Sequence, residues 1–139
     1  MTFREKSAWL MGALMVAAGL YYLNIAIGVS REVGWTAPPL AVIIPYVLLV
    51  IIASIAAQTT LAVLSPKEAN ASPDERERPL LDRAGNWSGI VLGAGAISSL
   101  LYYLGHGNGN LLFHMVMGSA ILSVIAEYVF QIILFRRSA

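Results

Sequence analysis

The run Leu40–Leu64, LAVIIPYVLLVIIASIAAQTTLAVL, contains no charged side chain and no strand-like alternation. Three further apolar runs accompany it: Trp9–Val29, Trp87–Leu104 and Leu111–Phe135. Each is near or above the ~20 residues with which a helix crosses a hydrocarbon core of about 30 Å. Inside lipid every backbone N–H and C=O needs a partner within the protein, so runs without alternation must span as helices. The chain is therefore expected to be an all-α integral membrane protein, one four-helix bundle domain with transmembrane helices at 9–29, 40–64, 87–104 and 111–135. Composition points the same way. Of 139 residues, 58% are hydrophobic and 12% charged, with a mean hydropathy of +0.70. A soluble domain of this size needs far more surface charge.

Arg4 and Lys6 precede the first run as in a signal peptide, but the run is too long for an h-region and no A-x-A-like site follows it. It is read as a membrane helix. The absence of cysteine excludes disulfide exchange, iron–sulfur clusters and thiolate metal sites, and with them the four-helix quinone-linked thiol oxidoreductases. No cofactor is expected.

Lys and Arg set the orientation. Arg4, Lys6, Lys67, Arg76, Arg78, Arg83, Arg136 and Arg137 fall on one side and only Arg31 on the other, eight against one. Both termini and the 65–86 loop are thus expected in the cytoplasm, with two helical hairpins of the same orientation. The halves share features in order: Arg4–Trp9 and Arg83–Trp87, Tyr21-Tyr22 and Tyr102-Tyr103, SIAAQ (54–58) and SVIAE (123–127). A parallel duplication would explain them. The tyrosine pairs fit an aromatic belt at the outer interface, with Trp9 and Trp87 as inner anchors.

Within the middle loop, SPDE (72–75) reads as a capping box with Ser72 as N-cap, so a short helix is expected to start there and to end or restart at Pro79. From Lys67 to Arg83 there are four positive and five negative side chains. That is no polybasic patch, and neither anionic lipid nor nucleic acid is an expected partner. A solvated, self-paired loop helix is the simpler reading, a docking surface the alternative.

The FREKSAW start and the DERER segment resemble a family of small bacterial inner-membrane proteins of unknown function. Pro79 and the Ala-Gly-Asn after Arg83 depart from its more uniformly helix-forming pattern. The resemblance implies an inner-membrane location and supplies no catalytic residues. Some members are encoded beside small helix-turn-helix regulators, which implies a regulatory or stress role.

Two constellations could carry chemistry. His106 and His114 flank the HGNGN turn, but a metal centre needs three or four ligands and no Asp or Glu is close in sequence, so they are weak candidates and no metal is expected. The other is Glu127. It lies nine residues from Arg136, about 13.5 Å of helix, where an ionised carboxylate costs at least a few kcal/mol. Ser119, Ser123, Glu127 and Gln131 recur every four residues, a polar stripe that must face protein, and Gln58 and Ser54 on the second span reach a similar depth. Glu127 is expected beside Gln58, either as a hydrogen-bonded neutral acid that helps the bundle pack or as a proton or ligand site.

Small residues line the third span (Gly89, Gly93, Gly95, Ser99) and the first (Gly12, Ala13, Ala17, Gly19). Such faces let helices approach within a monomer or across a homodimer seam. The expectation is a protein of the bacterial inner membrane without catalytic machinery, acting by interaction or regulation with a second copy or another membrane protein. The alternative is a small transporter or proton-coupled carrier using Glu127. Small multidrug-resistance carriers have four helices and one membrane glutamate, but theirs lies in the first helix, whereas this one lies in the fourth.

Overall fold

The structure, a computed structural model, describes residues 1–34 and 36–138. It contains α1 (Phe3–Val33), α2 (Leu40–Leu64), α3 (Pro66–Ala69), α4 (Glu77–His106) and α5 (Gly109–Ser138). The four long helices are each long and apolar enough to cross a membrane, and they pack as a bundle. This is a multi-pass membrane protein. α2 has the bounds of its apolar run, while α1, α4 and α5 extend past theirs. At 30 residues, α4 and α5 are about 45 Å long, so their ends clear the hydrocarbon and carry the charges.

Local chemistry sets the helix ends. Thr2 caps α1 by accepting the Glu5 N–H at 3.2 Å. Between α4 and α5, Gly107 adopts φ 67°, the left-handed conformation that closes α4, and its N–H returns to the Tyr103 carbonyl at 2.6 Å. Asn108 then caps α5 by accepting the Leu111 N–H at 3.1 Å.

The cap of α4 is not the expected one. No helix starts at Ser72; the short helix of the connection is α3, directly after α2. The capping side chain is Asp74, whose carboxylate accepts the Arg76 and Glu77 N–H groups at 2.8 and 2.7 Å. Glu77 reciprocates by accepting the Asp74 N–H at 3.3 Å. The box is thus shifted two residues along the chain, with Asp74 and Glu77 as its two sides. Pro79 falls close to the start of α4, where a proline is tolerated, and the helix runs unbroken into the span. Replacing Asp74 by alanine should cost about 1 kcal/mol of stability at the start of α4, while Ser72→Ala should leave it unchanged. Hydrogen exchange of the 75–80 amides measures both.

The most extensive packing is α4 against α5; α1 packs on the other flank of α5, and α2 leans on α1. The two hairpins thus differ in closeness, and the sequence features shared between the halves occupy unlike surroundings. α4 and α5 approach closely where a side chain at Gly95 would collide with Ser119. Gly12 and Gly19 similarly face Tyr128 and Ile121 across the α1–α5 seam. Lipid supplies no hydrophobic drive between helices, so such close backbone approach, with interhelical hydrogen bonds, holds the bundle together.

At one end the N-terminal segment, the 65–76 connection and the C-terminus gather. Arg4 pairs with Glu77 at 3.5 Å and reaches the Ala71 carbonyl at 3.3 Å. Arg136 pairs with Glu5 at 3.3 Å and lies over the Trp9 ring, 5.4 Å from its centroid. FREKSAW and DERER thus meet directly, through Arg4 and Glu77. The loop charges are not simply self-paired. Such partly exposed pairs contribute at most about 1 kcal/mol each, but they hold three chain segments at the same end.

Candidate functional site

The polar side chains within the spans form separate groups, set by which helices touch. In the charged-end half, Ser7 and Gln58 bond each other across α1 and α2, with the Gln58 amide donating to the Ser7 hydroxyl at 2.8 Å. Ser54 turns onto its own helix and donates to the Val50 carbonyl at 2.7 Å. Neither reaches α5, because α2 packs along α1. The expected pairing of Gln58 with Glu127 does not form.

Glu127 keeps different company. It is half-buried, and Gln131, one turn further along α5 and buried, donates to its Oε1 at 3.4 Å. Ser123, one turn the other way, donates to the Ser88 carbonyl of α4 at 2.9 Å. The stripe Ser123–Glu127–Gln131 is therefore one surface at the α5 seam, with Gln58 and Ser54 outside it. Three contacts give the antiparallel register of α4 and α5: Ser123 with Ser88, Ser119 with Gly95, and Phe130 edge-on to Trp87. Glu127 then lies level with about Trp87. Since Trp87 is four residues from Arg83, Glu127 sits only about 6 Å along the axis from Arg83, the last charge of α4 before its apolar stretch. That is shallower than the distance to Arg136 alone suggests, because α5 continues past the interface before reaching Arg136.

At the opposite end the structure assembles a pair that sequence spacing does not reveal. The Tyr22 hydroxyl lies 2.8 Å from His114 Nδ1, and His114 Nε2 lies 2.8 Å from the Thr36 carbonyl. A carbonyl only accepts, so Nε2 carries a proton, and in the neutral ring Nδ1 accepts from the Tyr22 hydroxyl. This chain joins α1, the α1–α2 loop and α5. Tyr46 packs against Tyr22, with centroids 5.9 Å apart, and donates to the Ala18 carbonyl at 2.9 Å. Tyr22, Ala26 and Tyr46 form the buried cluster of this half. Tyr22 is thus a core residue rather than part of a belt, whereas Tyr102 and Tyr103 are exposed as a belt requires. Nothing in the sequence links positions 22, 36 and 114; only the packing of α1 on α5 brings them together.

His106 stacks on Tyr102, centroids 4.0 Å apart, and its Nδ1 lies 3.1 Å from the Tyr102 carbonyl. The two histidines therefore have separate partners. Among the described residues no three His, Asp or Glu side chains gather as a metal site would require. Compared with protein-family models, curated proteins and solved structures, the chain matches none.

Proposed function

We propose that this chain is a non-catalytic component of the bacterial inner membrane that acts by associating with a second copy or another membrane protein. The eight-to-one distribution of Lys and Arg supports an orientation with both termini and the 65–76 connection in the cytoplasm. The inner membrane and a regulatory role belong to the proposal only as what the FREKSAW and DERER resemblance implies.

One observation carries the reading. Gly85, Gly89 and Gly93 recur at every fourth residue of α4, and a Cβ at any of them would meet nothing within 4 Å. Gly95, Gly12 and Gly19 are already used inside the monomer, so the small residues divide into two faces. The open one suits close approach of a further helix. The double substitution Gly89→Leu/Gly93→Leu should lower self-association in bilayers roughly tenfold, because overpacking such a seam costs about 1–3 kcal/mol. Energy transfer between labelled copies in vesicles measures this. Unchanged transfer in the variant would remove α4 as the interface.

A second reading, a proton-coupled carrier, is favoured by one feature. Glu127 is a half-buried carboxyl within a span whose hydrogen bond from Gln131 is long at 3.4 Å, and an ionisable group there marks a functional site by default.

A further inference from the structure

We propose that the groove between α1 and α5 binds one acyl chain of a membrane phospholipid, in the leaflet at the short-loop end. The groove has a volume of about 390 Å³ and is walled by Val16 and Leu20 of α1 and by Leu122 and Ile125 of α5. It follows α1 from Val16 to Ala26 and α5 from His114 to Ile125, about 15 Å along either axis. That is half of a ~30 Å hydrocarbon core, the length available to one leaflet's chain lying along the membrane normal.

Two further features shape the site. Gly118 lines the groove and a Cβ there would meet nothing within 4 Å, so a larger side chain at this position can enter the space. Toward the short-loop end the groove is lined by Tyr22 and His114, whose polar atoms bond each other and the Thr36 carbonyl. These polar atoms are engaged with one another and the rest of the lining is apolar, so the interior suits an unbranched hydrocarbon. A cavity of this size with apolar walls and polar groups at one end has the character of a ligand site. It opens sideways to lipid, where phospholipid chains are the abundant occupant. The site lies on α1 and α5, so it does not depend on association through α4.

The test uses the full chain in phosphatidylethanolamine–phosphatidylglycerol vesicles containing a phosphatidylethanolamine with a mid-chain diazirine. After illumination, cross-linked peptides are identified by mass spectrometry. Labelling should concentrate on 16–26 and 114–125, at least fivefold above the exposed face of α2 around Ile44–Ile55. Gly118→Leu should reduce it at least fivefold with helix content unchanged. Gly118→Ala, a smaller filling, should give an intermediate loss and keeps the test readable if the leucine variant fails to insert. Equal labelling of α2 would reduce the groove to ordinary boundary lipid and overturn the proposal, as would labelling indifferent to both substitutions. Release of a prenyl or quinone-type molecule from the purified protein, in place of a phospholipid, would overturn the assigned occupant.

Discussion

Gly95→Leu will force α4 and α5 apart and cost the bundle about 1–3 kcal/mol or more. The close approach at this point leaves no room for a side chain, because a Cβ would overlap both side-chain atoms of Ser119. Rotating Ser119 relieves only its hydroxyl; its Cβ moves only with the backbone. The helices must therefore separate, weakening the Ser123–Ser88 bond and the Trp87–Phe130 contact. Denaturant titration in mild detergent, followed by ellipticity and by tryptophan fluorescence, reads the loss. Gly89→Leu is the control, since it adds the same atoms to the same helix where nothing lies within 4 Å. In detergent-solubilised monomer it should stay within about 0.5 kcal/mol of the parent, as surface changes do. Equal losses in the two variants would show that α4 and α5 do not approach closely at Gly95.

Glu127→Leu should cost a further measurable amount, about 1–3 kcal/mol, because the buried Gln131 amide loses its acceptor. Glu127→Gln keeps the size and an acceptor oxygen, and its stability should match the parent. Gln58→Leu, in contrast, should couple to Ser7→Ala and not to Glu127→Leu, because Gln58 bonds Ser7. Additive losses for Gln58→Leu with Glu127→Leu, in a double-mutant cycle, are therefore the expected result. Coupling between these two would overturn the separation of the polar groups. The glutamine variant also divides the functional readings. If Glu127 only packs, any cellular phenotype of the intact protein survives in Glu127→Gln. If Glu127 moves protons, proton uptake into vesicles disappears in that variant while the melting curve stays unchanged.

Much of the architecture was legible because one solvent imposes it. Hydrocarbon demands internally satisfied backbone over a set length, so the apolar run Leu40–Leu64 reproduces the bounds of α2. The end of α4 was legible for a related reason: the glycines of HGNGN mark a turn, and Gly107 takes the left-handed conformation there. The start of α4 was harder to read. SPDE and DERE overlap, both match a capping pattern, and the choice of Asp74 depends on where the helix meets the Arg4–Glu77 pair.

Within the spans, sequence periodicity identified Ser123, Glu127 and Gln131 as one stripe, since spacing along a single helix is fixed by its 3.6-residue turn. Matching depths of Gln58 and Glu127 could not establish contact. Depth is one coordinate, whereas contact also requires that the two helices be neighbours and face each other. That α5 lies between α4 and α1, with α2 on the outer side of α1, follows from side-chain shape: the close approach at Gly95, the notches at Gly12 and Gly19, and the tyrosine pair. The sequence by itself determined that this chain is four membrane helices with its charges gathered toward one side, because hydrocarbon excludes charge and unpaired backbone whatever the packing. Only the tertiary structure decided which polar groups meet, including Tyr22 with His114 and Ser7 with Gln58, because lipid favours no particular helix pairing and the choice rests on the fit of small surfaces distant in the chain.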